Sequence, residues 1–128
     1  MSYYFSTELA ATFEEAVDRT VQALKKEGFG VLTDIDVQAT LKQKLGVDFP
    51  KYRILGACHP PYAYEALKKE SKIGTMLPCN VIVQEISPGK VEVAAIDPVA
   101  SVQAVANPGL ADVAAAVQQK LRNVIASL

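Results

Sequence analysis

Two periods of apolar spacing run along this chain, one near two residues and one near 3.6, and the points where one gives way to the other predict its elements. Residues 2–9, with Tyr3, Tyr4, Phe5 and Thr7, suit a strand. Phe13, Ala16, Val17, Thr20, Val21 and Leu24 then recur at helical spacing. Thr12 is placed to cap that helix, Glu15 to close a capping box with it, and Gly28 to end it. The alternation Phe29, Val31, Thr33, Ile35 predicts a second strand. Asp36 caps a short helix carrying Val37, Leu41 and Leu45, which Gly46 ends.

After Phe49-Pro50, residues 52–58 read as a third strand, with Tyr52, Ile54, Gly56 and Cys58 on one face. His59-Pro60-Pro61 stops it and starts a helix over 62–69, because proline is tolerated in a first helical turn. Ala63, Ala66 and Leu67 of that helix are expected toward the core. Residues 80–86 and 91–96 are β-prone and flank the turn Ser87-Pro88-Gly89-Lys90, which predicts a hairpin. A long helix from Leu110 to about Ala126 presents Val113, Ala114, Val117, Leu121, Val124 and Ile125, with Asn107-Pro108 ahead of it as cap and first-turn proline. The closing hairpin and the lack of a Gly-rich strand-to-helix turn favour an α+β layer over a doubly wound sheet. That layer is a single, mainly antiparallel sheet with helices packed on one face.

Composition narrows the class. At 128 residues, half of them hydrophobic and 21% charged, the chain fits a single domain over residues 1–128 that buries one core. Lys and Arg number 13 against 14 Asp and Glu, without a basic stripe, which speaks against a nucleic-acid partner. Lys25-Lys26 and Lys68-Lys69 read as solvated helix ends. The start of the chain lacks the features of a secretory signal, and no run is long and apolar enough to span a bilayer, so cytoplasm without a membrane partner is expected.

Candidate chemistry gathers in Gly56-Ala57-Cys58-His59-Pro60-Pro61 and Met76-Leu77-Pro78-Cys79-Asn80. If the strands bearing Cys58 and Cys79 are antiparallel neighbours, both thiols return to one end of the sheet. Three readings of the pair stand open: small buried hydrophobes; a thiol or redox site in which a helix terminus and His59 favour thiolate; or a metal or haem-type site of Cys58, Cys79 and His59. The spacing is not that of a compact zinc site, and adjacent Cys58 and His59 share a metal only if the chain turns between them. His59 is the sole histidine and so the sole imidazole acid-base group. Asp36 and Asp97 read as cap and turn formers, and Asp34 lies beside the first of them. No nucleophile elbow, P-loop, zinc-protease or dinucleotide fingerprint occurs.

Thr33-Asp34-Ile35-Asp36-Val37, Lys44-Leu45-Gly46, the run from Tyr52 to Pro60, Leu77-Pro78-Cys79-Asn80-Val81 and Asp97-Pro98 together resemble the prokaryotic domain of unknown function 302. The resemblance implies a curved antiparallel sheet of the TATA-binding-protein-like α+β group. It also implies that the segments around Cys58 and Cys79 are family hallmarks, and it implies no activity or cofactor. The resulting expectation is a ligand-binding or thiol/redox-associated module, its site formed by Cys58, His59, Cys79 and Asn80 and shaped by Pro60 and Pro78. The alternative is a non-catalytic homodimeric interaction domain with structurally buried cysteines, joined at a sheet edge or through Tyr3-Tyr4-Phe5. A hydrolase using His59 as base lacks a nucleophile other than cysteine.

Overall fold

The structure is a computed structural model and describes residues 2–128. Its five strands are β1 (Tyr4–Leu9), β2 (Gly30–Asp36), β3 (Tyr52–Cys58), β4 (Cys79–Ser87) and β5 (Lys90–Ile96). They form one sheet in the order β1-β5-β4-β3-β2, with every neighbouring pair antiparallel. The helices are α1 (Phe13–Lys26), α2 (Val37–Leu45), α3 (Pro60–Lys69), α4 (Pro98–Ser101) and α5 (Ala111–Ala126), with 3-10 turns at Ser71–Met76, Val102–Ala104 and Pro108–Leu110. This is an α+β fold around an open antiparallel sheet.

Local chemistry accounts for most element ends. Thr12 Oγ1 accepts the Glu15 N–H at 3.2 Å, and its hydroxyl also meets the Glu15 carboxylate rather than leaving that group to reach back to the backbone. Asp36 caps α2 by accepting the Ala39 N–H at 2.9 Å. Gly28 (φ 87°) follows α1, and Gly46 (φ 68°) ends α2, both in the left-handed region that a side chain disfavours. Asp97 caps α4 through the Val99 N–H and also accepts a hydrogen bond from the Gln118 amide, tying α4 to α5.

Alternation along β4 and β5 aims Val81, Val83, Val91, Val93 and Ala95 at one face, and α1 and α5 cover it with Phe13, Ala16, Leu24, Leu121 and Val124. Thr20, buried on α1, donates its hydroxyl to the Ala16 carbonyl at 2.7 Å and leaves no unmet polar group there. The register sends Tyr4, Ala94, Ile82, Ile54 and Ile35 to the opposite face, where Ile35 and Tyr4 stay exposed. A second, smaller core of Ala66, Ile73 and Leu110, supported by Leu77, Val102 and Val113, forms under α3 and the 3-10 turns.

Several expectations need correction. The first strand begins at Tyr4, and α5 is preceded by its own 3-10 turn, which Asn107 caps. The expected alternation Phe29, Val31, Thr33, Ile35 is broken by a β-bulge: Val31 pairs with Ala57 but Thr33 pairs with Gly56, so Leu32 is an extra residue and Thr33 and Ile35 change faces. Leu67, expected in the core, is 43% exposed. The 3-10 turn Ser71–Met76 and α4 carry too few turns for a sequence period to announce them.

Candidate functional site

Between the two cores lies a cavity of about 400 Å³, open to solvent on one side. The sheet contributes Ala57 and Cys79, α3 contributes Ala63 and Ala66, and α5 contributes Ala114 and Val117. Ile73 and Leu77 close it from the segment between α3 and β4. Leu32 and Leu67 border it while 68% and 43% exposed, which places them at its mouth. The wall is almost entirely hydrocarbon and has no Asp, Glu, Lys or Arg. His59, Tyr62 and the two cysteines are the lining residues that carry a polar side-chain atom.

His59 occupies the N-cap position of α3 without a side-chain capping bond, followed by two prolines. Its ring stands edge-on to Phe29, centroids 5.4 Å apart, and lies 4.7 Å from Tyr62. Gly28 is the floor beneath the ring: a Cβ built there would sit 2.8 Å from His59 Nε2. Burial, and then the positive charge of Lys120 on α5, push the imidazole pKa below its ordinary value, against a smaller opposing backbone contact. His59 Nδ1 is buried and has no hydrogen-bond partner among the described residues. Such a ring is neutral at pH 7 and held in place by its aromatic neighbours.

The two cysteines share a strand end and a cavity border but not a sheet face. Cys79 pairs with Ala57 and so shares the helix-covered face, while Cys58 is one residue further along β3 and shares the phase of Gly56 on the other face. Both are free thiols. Burial, with a lesser contribution from Cys58, raises the Cys79 pKa to about 11, so at neutral pH it is a protonated, weakly nucleophilic packing residue. Asn80 pairs with Gly56 on the uncovered face and is exposed, so it does not join the cavity. Cys58, Cys79 and His59 do not converge as a metal set, and no group of three metal-binding side chains does so among the described residues. Asp34 pairs with Arg53 at 2.8 Å, away from the cavity wall.

The motif glycine Gly56 has a packing reason. A Cβ there would overlap Thr33 Oγ1 and come within 2.7 Å of Pro78 Cγ. The segments 56–60 and 77–79 therefore meet as adjacent strand ends that border the cavity, with a cis Leu77–Pro78 bond between the 3-10 turn and β4. The family described as "Domain of unknown function DUF302" matches residues 5–128. The chain belongs to this family. This DUF302 protein is also similar to a solved structure, the crystal structure of an uncharacterized conserved DUF302 protein from Bacillus stearothermophilus. The two are 28% identical over 98% of each chain, with a TM-score of 0.89. No curated protein matches it.

Sequence reasoning found Cys58, His59 and Cys79 near the cavity but missed the residues that make it. Ala114, Val117 and Ala66 looked like ordinary helix face, and Ile73 fell between elements. Leu32 did leave a trace: Val31-Leu32 places two apolar residues in succession where a strict alternation allows one, which is the pattern a bulge produces.

Proposed function

We propose that this DUF302 protein is a binding module for a small, predominantly apolar molecule housed between its two cores. One observation carries the reading: a cavity of about 400 Å³ whose wall is nearly continuous hydrocarbon, in the size range of small-molecule sites. Cavity-lining atoms lack partners on one side and so forgo dispersion contacts that an apolar guest restores. Covering that wall also removes apolar surface from water at roughly 25 cal/mol per Å². The thiol/redox branch is less well supported, because Cys79 is held as a thiol and Cys58 takes the phase of the other sheet face.

The test is titration of isotope-labelled protein with compact apolar probes such as naphthalene or indole, followed by NMR and thermal unfolding. Saturable shifts confined to Ala63, Ala66, Ala114 and Val117, with Tm rising as probe is added, are expected. Shifts scattered over the surface, or none at millimolar probe, overturn the reading.

A second reading, homodimerisation, is favoured by the uncovered sheet face, where Tyr4 and Ile35 remain 43% and 47% exposed. Phe5 does not belong to that surface, because it packs toward the helix side beneath Arg122, 4.3 Å from its guanidinium. Light scattering across a dilution series decides this reading: a monomer at every concentration removes it.

A further inference from the structure

Building on the binding reading above, we infer that the cavity takes the hydrocarbon tail of a single-chain amphiphile and leaves its polar end at the mouth beside Leu32. The inner wall carries no charged side chain, and His59 Nδ1, a polar atom beside it with no hydrogen-bond partner among the described residues, is itself buried. An ionised or multiply polar group placed inside would lose its hydration without replacement. A tail loses nothing by entering, and a polar end attached to it stays in water.

The mouth supplies an independent observation. The β2 bulge inserts Leu32 as an extra residue in an edge strand and leaves it 68% exposed while it still borders the cavity. Bulges re-aim side chains, and edge strands ordinarily carry charge or proline against unwanted pairing rather than a bare leucine. Leu67 on α3 extends the apolar border of the same opening. An apolar wall therefore runs from the interior out to the surface, as a chain crossing the opening requires. Filled to the density of a liquid hydrocarbon, looser than a protein interior, the volume holds about a dozen chain carbons.

Calorimetric titration with 1-alkanols of increasing length, and with the matching carboxylates, each below its self-association concentration, tests this. Affinity is expected to rise about fourfold per methylene up to about a dozen carbons and then level off, with the same slope for both headgroups. Leu32→Ser, an exposed substitution, is expected to weaken every member of the series by about three- to tenfold without altering the slope. Ala63→Phe, which fills the cavity from a partly exposed helix position, is expected to abolish binding in a protein that still melts cooperatively. Binding of naphthalene with no dependence on alkyl length overturns the tail assignment and leaves the apolar site standing. Failure of both probe classes removes the site as well, and an unchanged affinity in Leu32→Ser overturns the placement of the polar end.

Discussion

The two cores are built from different kinds of element, and the cavity marks the boundary between them. Over β4 and β5, α1 and α5 span 14 and 16 residues, long enough to present repeated apolar ridges, and Leu24, Leu121, Val81, Val83, Val91 and Val93 are fully buried. At the other end the cover is α3, the four-residue α4 and three 3-10 turns, and the core cluster is only the buried Ala66, Ile73 and Leu110, flanked by half-buried Leu77, Val102 and Val113. Short turns have too few side chains per face to interdigitate with a sheet. A protein can therefore be stable at one end and hollow at the other without any charged residue marking the change.

Truncation should separate the two ends most sharply. Leu121→Ala is expected to cost about 2 to 5 kcal/mol in denaturant unfolding, and Ile73→Ala about 2 kcal/mol or less, because its neighbours already lack contacts on the cavity side. Equal losses would break the contrast. Enlargement sharpens it from the other direction. Ala16→Leu, in the dense core, is expected to destabilise by about 1 to 3 kcal/mol, whereas Ala114→Leu on the cavity wall should fall within about 1 kcal/mol of the parent.

The two left-handed glycines after helices test what His59 requires. Gly46→Ala should cost about 1 kcal/mol from backbone strain alone, since a Cβ there meets open space. Gly28→Ala carries the same strain and must also displace the imidazole, so its cost should exceed that of Gly46→Ala, with the His59 ring resonances shifted.

His59 also sets a direction with pH. Its folded pKa lies below the ordinary 6.5, so the unfolded chain binds the proton more readily, and the stability due to the neutral ring is complete above about 6.5. As pH falls below that value toward the folded pKa, stability should decline. His59→Asn should flatten this part of the profile, and melts between pH 7.5 and 5 measure it. The smallest structural effect is expected from thiol chemistry. Cys79 alkylation in the native state should be slow at pH 8 and accelerate about tenfold per pH unit toward its pKa of about 11, with unfolding abolishing the protection.

Much of the fold was legible because its signals are local. Asp36 accepts the amide three residues ahead, Thr12 pairs with Glu15, and the hairpin strands β4 and β5 flank the Ser87-Pro88-Gly89-Lys90 turn. The site was legible only as an address. Cys58, His59 and Cys79 do border the cavity, but the spacing of the cysteines along the chain says nothing about which face each strand end presents. Sequence proximity to Cys79 puts Asn80 beside the site, but neighbouring strand residues point to opposite faces, and Asn80 takes the uncovered one.

By itself, then, the sequence determined the strands, the capped helices and the α+β class, because capping, periodicity and turn chemistry act between residues a few positions apart. Only the tertiary structure decided that a bulge turns Leu32 to an opening, that the two thiols take opposite phases, and that a space remains between the cores. Those outcomes depend on strand register and on how distant surfaces fit. One residue of slip in a pairing changes the face of every side chain beyond it.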